Sequence, residues 1–167
     1  MNCAIRHDNL GDVHEACRDI ENNGRLEFPR GIRFEFTGVD RVRLVAMAQP
    51  PLETVLNLLL RRAIASSSYG DCIRVHAEDR DTIPAPLIGE ERPCRCVMLS
   101  VEDEGVPVDA SAIARAMWLG LGEGDPGTDT LAWVYYLVRS AGGRVDVQRP
   151  PEGGSRVRCF LPTAPEA

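Results

Sequence analysis

The sequence predicts an α/β protein of the α+β kind, a two-layer sandwich in which helices cover one face of a mixed, mostly antiparallel sheet. Two observations lead to this class. Several short segments alternate apolar and polar residues, as strands with one buried face do. These segments follow one another as strand-strand-helix-strand-strand and then helix-helix-strand-strand, whereas a doubly wound parallel sheet needs a helix after most strands. Helices and strands therefore have to share one core between two layers.

Six strands are predicted from the alternation. Ile73, Val75 and Ala77 give the third of them one apolar face. The segment 80–93 is rich in proline, glycine and acidic residues, and it is predicted to be a loop between two hairpin strands. A second hairpin turn, 149–154, joins the last two strands. The predicted strands span residues 32–36, 42–46, 72–78, 96–103, 144–148 and 156–161.

Four helices are predicted, and the second has the strongest pattern. Pro50 and Pro51 stand at its start, where proline is tolerated, and a polar segment beginning at Ser66 ends it. Its apolar residues recur at the spacing of one buried helical stripe. These residues are Leu52, Val55, Leu56, Leu59 and Ala63. The predicted helices span residues 8–20, 50–65, 110–118 and 128–141.

Length and charge limit the possible functions. A chain of 167 residues suits one domain with a sizeable core; we expect a linker helix within residues 1–24 and the domain in residues 25–167. The net charge of −6 argues against nucleic-acid binding, which requires a basic face. No apolar run approaches the ~20 residues that span a bilayer, and residues 1–30 are too polar for a signal peptide. We therefore expect a cytoplasmic protein with no nucleic-acid partner and no membrane insertion.

The cysteines do not form a recognisable metal or redox motif. Six are present, at positions 3, 17, 72, 94, 96 and 159, and no two have the Cys-x-x-Cys spacing of zinc sites and thiol oxidoreductases. We expect reduced, structural thiols, with a disulfide or a metal site as the less favoured alternatives.

The clearest chemical signal is a carboxylate at the end of an apolar row. Val97, Leu99 and Val101 lie on one face of the strand 96–103, and Asp103 continues that face. A buried carboxylate is costly unless something pairs with it. Because Gly105 completes an Asp-x-Gly turn, Asp103 has two interpretations: a cap for the turn, or an acceptor in a binding pocket.

The order of these elements, from about residue 8 to residue 162, resembles the catalytic and ATP-binding domain of bacterial histidine kinases, which belong to the GHKL ATPases. The segment 137–145 is similar to the family's passage from helix to strand ending in Gly-Gly-x-Val. The segment 154–162 is similar to its closing strand, which ends in Leu-Pro, and 52–65 is similar to the helix that carries the N-box. The resemblance implies the Bergerat (GHKL) fold.

The resemblance also implies a pocket for ATP or ADP. In the family, the aspartate that Asp103 matches accepts a hydrogen bond from the exocyclic amine of adenine, and Gly105 lets the backbone approach the base. The same match assigns Gly127, Thr128 and Ser155 to nucleotide binding. No catalytic residue and no metal ligand is assigned.

Three departures from the family's motifs weaken the phosphate half of this pocket. Pro107 stands where the first glycine box has its second glycine, and proline removes an N–H and fixes φ. The N-box normally ends in an asparagine that ligates Mg²⁺; here Arg61 or Arg62 replaces it, depending on the register, and a guanidinium cannot ligate a cation. In the second glycine box, Asp129 would compete with phosphate for the N-terminus of the last helix.

Arg61 and Arg62 have three interpretations. They can be a solvated pair at a helix C-terminus, where positive charge is favourable. One of them can contact a nucleotide phosphate directly, which would make nucleotide binding independent of Mg²⁺. One of them can instead fill the pocket and pair with Asp103 or Glu104. The sequence leaves these alternatives open.

Two histidines precede acidic residues, as the phosphoacceptor histidine of a complete histidine kinase does. They are His7 and His14. The family's dimerisation hairpin needs two long helices before the catalytic domain, and only one short helix precedes the first predicted strand. We therefore do not expect either histidine to be a phosphoacceptor.

The favoured function is an ATP-binding domain of histidine-kinase type in two-component signalling, with degenerate motifs, weak or magnesium-independent nucleotide binding and poor catalysis. The alternative is a pseudo-kinase scaffold that binds a signalling partner without turning over ATP. Anti-sigma-factor kinases are a third, weaker resemblance. The expected partner is a response regulator or a kinase, and homodimerisation is left open.

Overall fold

The computed structural model describes residues 9–23, 26–84, 91–120 and 129–164. Within these ranges the chain forms one five-stranded sheet and four helices, which confirms the predicted fold class. The strands are β1 (Arg33–Thr37), β2 (Cys72–Pro84), β3 (Glu91–Asp103), β4 (Arg144–Gln148) and β5 (Ser155–Pro162). The helices are α1 (Val13–Asn22), α2 (Gln49–Ser66), α3 (Ala110–Trp118) and α4 (Thr130–Ser140).

The sheet is mixed and mostly antiparallel. Its strand order is β1-β2-β3-β5-β4, in which β1 and β2 run parallel and every other neighbouring pair is antiparallel. The edge strands β1 and β4 are each five residues long, and β2 and β3 are each 13. The long central hairpin therefore holds the two ends of the sheet together.

The main core lies between the inner face of the sheet and the helices. The predicted stripe on α2 is fully buried there, and Leu131, Val134 and Val138 of α4 pack into the same cluster. The buried side chains of α1 also belong to it: Val13, Ala16, Cys17 and Ile20. Burial of each Leu, Ile or Val side chain in this cluster stabilises the fold by roughly 1.5–3 kcal/mol.

The outer face of the sheet carries a second, smaller cluster. Ile83, Cys96, Met98 and Phe160 are buried there, and Cys94 packs against them. The end of β2 reaches this region, because Arg144 Nη1 donates to the Pro84 carbonyl oxygen at 2.7 Å. The rest of the outer face is polar, with ion pairs such as Arg158–Asp146 across neighbouring strands.

Two predicted elements are wrong or misplaced. Residues 42–46 do not form a strand of the sheet. Val45 makes only isolated bridges, to Gly11 and Thr163, and the segment joins no ladder of paired residues. The loop predicted at 80–93 is too long, because β2 and β3 stay paired to Pro84 and Glu91 after an irregularity near Arg80. Burial of the Ile83 side chain stabilises the longer hairpin. Residues 85–90 lie outside the described residues.

The first and last helices also begin later than predicted, and side-chain caps explain both starts. The first helix begins at Val13 instead of residue 8, because Asp12 Oδ1 accepts hydrogen bonds from the backbone N–H groups of His14 and Glu15. The last begins at Thr130, where Asp129 is the N-cap. The helix 110–118 has the predicted bounds. None of the described helices combines the length and apolarity needed to cross a bilayer.

Burial should make most of the described thiols unreactive. Burial raises the pKa of Cys17 and Cys159 to about 12 and that of Cys96 to about 11, and all the described cysteines are free thiols. Because the thiolate is the reactive form, we expect iodoacetamide at pH 8 to label the half-buried Cys94 at least about a hundredfold faster than Cys159. Mass spectrometry after digestion measures both rates. In urea, where both thiols are exposed, the two rates should be equal. Equal rates in the folded protein would contradict this prediction.

Candidate functional site

The buried row on β3 ends in Asp103, as its alternation predicts. Val97, Leu99 and Val101 are inaccessible to solvent, and Asp103 is 1% exposed. Asp103 is the last residue of the strand and lies opposite Ser155 in the β3–β5 ladder. The strand therefore delivers a carboxylate to the edge of the main core, where its charge has to be compensated.

The Asp103 carboxylate has three hydrogen-bond partners. Arg62 Nη2 donates to Oδ2 at 2.6 Å, Ser66 Oγ donates to Oδ1 at 3.1 Å, and the backbone N–H of Gly105 donates to Oδ1 at 3.0 Å. Arg62 and Ser66 are four residues apart in the last turns of α2, so they lie on one face of that helix. The Asp103 side chain is 0% exposed and that of Arg62 is 13% exposed, which makes this a largely buried ion pair. This geometry agrees with the third interpretation of the arginines, in which one of them fills the pocket and pairs with Asp103.

Two glycines allow the backbone segments around Asp103 to come together. A Cβ on Gly105 would lie 1.9 Å from the carbonyl oxygen of Ser66, and that oxygen accepts a hydrogen bond from Val106 N at 3.1 Å. A Cβ on Gly154 would lie 1.8 Å from the carbonyl oxygen of Asp103. The end of α2, the turn after β3 and the start of β5 therefore pack backbone against backbone around the carboxylate.

Ser155, predicted to be a nucleotide-binding residue, has a hydrogen bond within the protein. Its side chain is fully buried, and its Oγ accepts a hydrogen bond from Val108 N at 2.9 Å. This bond fixes the chain just after Pro107. Ser155 therefore holds the turn that follows Asp103 against the sheet.

Arg61 lies on a different face of α2 from Arg62. Its Nε donates to Asn57 Oδ1 at 2.7 Å, one helical turn earlier. It lines a cleft of about 480 Å³ between α1 and α2, together with residues such as Asp19 and Glu53. The structure thus brings Arg62, and not Arg61, to Asp103.

A second cleft, of about 550 Å³, adjoins Arg62 between α3 and α4. Arg115 and Asp129 lie on its wall and form an ion pair with a 3.3 Å separation between Nη2 and Oδ2. Asp129 Oδ1 also accepts a hydrogen bond from Ala132 N at 3.0 Å, so a carboxylate already caps the N-terminus of α4. The apolar part of the lining consists of Val108, Ala112, Leu119 and Leu131.

Glu104 points away from Arg62 and towards β2. It accepts hydrogen bonds from Cys72 N at 3.0 Å and from Arg74 Nη2 at 2.9 Å. The backbone N–H of Cys72, and then Arg74, lower the pKa of the Glu104 carboxyl. Glu104 is therefore not the partner of either arginine of α2, and it ties the turn after β3 to the start of β2.

The lowered pKa of Glu104 predicts a pH-dependent contribution to stability. A folded-state pKa below the unfolded value of about 4.5 means that the contribution is present above pH 4.5 and is lost as the pH falls through the folded pKa. We expect Glu104→Gln to lower the free energy of unfolding at pH 7 by about 1 kcal/mol or less, since the side chain is 40% exposed. Urea titrations at pH 7 and pH 3 should show the two proteins converging at the lower pH. A difference that persists unchanged at pH 3 would contradict the assignment.

The remaining predicted nucleotide-binding residues lie outside the described residues, and the described histidines lie away from Asp103. Gly127, Thr128 and His7 belong to segments that are not described. His14 is exposed at the start of α1, and His76 Nδ1 shares a hydrogen bond with Thr37 Oγ1 at 2.8 Å on the sheet. Within the described ranges, no three His, Cys, Asp or Glu side chains are grouped so that they could hold a metal ion.

Ser66 is a member of the site that the sequence pattern does not predict. In the sequence it is only the first residue of the polar segment at the end of α2. Its distance of four residues from Arg62 was the available signal, because residues at that spacing share a helix face.

The comparisons with known proteins give the fold and no closer relationship. No family model matches the chain, and no curated protein matches it. Among solved structures it is similar to the catalytic domain of the histidine kinase ThkA in two nucleotide-free forms. One has 18% identity, a TM-score of 0.65 and coverage of 92% of both chains. The other has 17% identity, a TM-score of 0.66 and coverage of 93% of this chain and 97% of that one.

It is also similar to the mycobacterial sensor histidine kinase MprB, with 19% identity, a TM-score of 0.62 and coverage of 92% of this chain and 93% of that one. At these identities the similarity establishes the fold alone. The chain therefore has the fold of a histidine kinase catalytic domain, as the resemblance to the GHKL ATPases predicts.

Proposed function

We propose that this chain is an ATP-binding domain of histidine-kinase type in two-component signalling, which binds ATP or ADP weakly and without Mg²⁺ and transfers phosphate poorly. The observation that supports this most is the position of Arg62. Its guanidinium lies on the buried carboxylate that the family resemblance assigns to adenine, at 2.6 Å. A nucleotide has to compete with an ion pair that is already formed.

The phosphate side of the pocket supports weak, metal-independent binding. Arg62 occupies one of the two registers for the Mg²⁺-ligating asparagine, and guanidinium has no lone pair to give a cation. The residues present therefore do not fit a magnesium ion at this position. Phosphoryl transfer depends largely on metal and positioning, so poor catalysis follows.

The electrostatics of the cleft support the same conclusion. Two arginines and two aspartates, Arg62–Asp103 and Arg115–Asp129, are paired there, so their formal charges cancel. A triphosphate would meet no net positive charge from these four groups. The carboxylate of Asp129 also takes an N–H at the N-terminus of α4, where phosphate would otherwise bind.

Calorimetric titration with ATP and with ADP, in the presence of Mg²⁺ and then of EDTA, tests this function. We expect a weak affinity that changes less than about twofold with Mg²⁺, and a loss of about tenfold in Asp103→Asn, as for one charged hydrogen bond. Asp40→Asn, at an exposed carboxylate after β1, is the control for the charge change. Tight binding that requires Mg²⁺ would overturn the proposal.

The second candidate is a pseudo-kinase scaffold that binds a response regulator or a kinase in the cytoplasm without ATP turnover. Exposed apolar side chains on α3 and α4 favour it, since such groups often mark partner-binding surfaces. Met117, Trp118, Trp133 and Tyr136 are between 38% and 52% exposed. Absence of binding at millimolar nucleotide in the titration above would favour this scaffold over the first function.

A further inference from the structure

Asp103 cannot touch a ligand in the observed arrangement. Its side chain is 0% exposed, and Arg62, Ser66 and the backbone of Gly105 surround both carboxylate oxygens. Ser66 and Gly105 donate to Oδ1, whereas Arg62 is the hydrogen-bond partner of Oδ2. Recognition of a base by Asp103 therefore requires Arg62 to move, and it does not require Ser66 or Gly105 to move.

Arg62 is the member of this group that can move. Its side chain is long, slightly exposed, and forms part of the wall of the cleft between α3 and α4. Its Nε is buried and has no hydrogen-bond partner among the described residues. A buried donor without a partner is unfavourable. The guanidinium would therefore gain a hydrogen bond if it moved to a position where Nε has an acceptor.

We propose that Arg62 exchanges partners when a nucleotide binds: a phosphate group draws the guanidinium away from Asp103, and the amino group of adenine takes the vacated oxygen. This inference rests on the proposed function and names the residue that would set its specificity. Arg62 then makes the site selective for adenine nucleotides over adenosine. The phosphate becomes a condition for recognition of the base.

The need to keep the Arg62 charge paired with an anion is the physical reason for this selectivity. In the exchange, Arg62 passes from a carboxylate to a phosphate, with which guanidinium forms strong, charge-assisted bonds. Asp103 keeps two of its donors and gains a third from the base. Adenosine offers no anion, so its binding would leave the arginine charge without a partner in a partly buried position, which is strongly unfavourable.

The test compares adenosine, AMP and ADP by calorimetry in EDTA, on wild type, Arg62→Asn and the control Arg61→Asn. Arg61 is the adjacent arginine but bonds to Asn57 on another face of α2. In wild type we expect ADP and AMP to bind at least about tenfold more tightly than adenosine. In Arg62→Asn adenosine should bind more tightly than to wild type, and the ratio of ADP to adenosine affinity should fall towards one. Arg61→Asn should keep the wild-type ratio.

The affinities of the wild-type protein for adenosine and ADP are enough to overturn the inference. If adenosine and ADP bind it with equal affinity, phosphate is not what moves Arg62, although weak nucleotide binding itself would stand. If no compound binds any variant, the proposed function fails together with the inference. A ratio that stays unchanged in Arg62→Asn would also overturn the exchange.

Loss of the ion pair can destabilise Arg62→Asn, so thermal unfolding is measured on every variant. Arg62→Gln provides the second variant, because its amide can still donate to Asp103 while it lacks the charge that attracts phosphate. We expect Arg62→Gln to lose the preference for nucleotides over adenosine. A preference retained in a folded Arg62→Gln protein would contradict the inference.

Discussion

Replacing Gly154 with alanine should lower the free energy of unfolding by about 3 kcal/mol or more, the sum of a left-handed backbone penalty and an overpacking penalty. Gly154 has a φ of +76°, which L side chains rarely adopt. Its Cβ would also lie 1.8 Å from the Asp103 carbonyl oxygen and 2.8 Å from the carbonyl carbon. Because these atoms are backbone at the end of the β3–β5 ladder, neither strand can yield without breaking pairing next to the site.

The neighbouring glycine separates the two causes. Gly153 has a φ of +107°, and a Cβ there would meet nothing within 4 Å. Gly153→Ala should therefore cost only about 1–2 kcal/mol, from the backbone conformation alone. Urea denaturation followed by circular dichroism compares the two variants. Equal costs would show that β3 and β5 can separate at Gly154 without a penalty.

Removing the Asp103 side chain should destabilise the protein by about 3–5 kcal/mol, the typical effect of breaking a buried ion pair from one side. Asp103→Ala leaves the Arg62 guanidinium in a largely buried position with no carboxylate. It also removes the acceptor of Gly105 N, whereas Ser66 Oγ keeps the Ala63 carbonyl oxygen at 3.0 Å as an acceptor. Chemical denaturation at pH 7 measures the loss.

The double variant Arg62→Met with Asp103→Leu is the matched control for that loss. Replacing both members of a buried pair by apolar side chains is often close to neutral, so the double variant should lose less than the sum of Arg62→Met and Asp103→Leu alone. A loss below about 1 kcal/mol in Asp103→Ala would contradict the prediction. It would mean that Arg62 turns freely into solvent when its partner is absent.

The sequence predicted those parts of the fold that depend on local periodicity. The row from Val97 to Asp103 is buried as its alternation predicts, and the stripe on α2 faces the core at the predicted positions. The helix Ala110–Trp118 has its predicted bounds, since Asp109 caps it and accepts a hydrogen bond from Ala112 N. In these segments the local preference and the tertiary structure agree.

Features that depend on distant partners were predicted less well. Residues 42–46 alternate as a strand does, but Val45 contacts Gly11 and Thr163 only through isolated bridges, and no periodicity encodes those partners. The Asp103 carboxylate was identified as needing a partner. The choice between Arg61 and Arg62 depended on the rotation of α2 against β3, which two adjacent arginines do not reveal. Arg62 is 41 residues away from Asp103 in the chain.

The two edges of the sheet carry a consequence for association of the folded protein. Exposed edge strands are templates for pairing with other chains, and proteins protect them by keeping them short and charged. β1 and β4 are five residues long, with Arg33 and Glu35 on one and Arg144 and Asp146 on the other. We therefore expect the folded domain to resist strand-to-strand aggregation, so that a binding partner would have to engage helices or loops instead of extending the sheet.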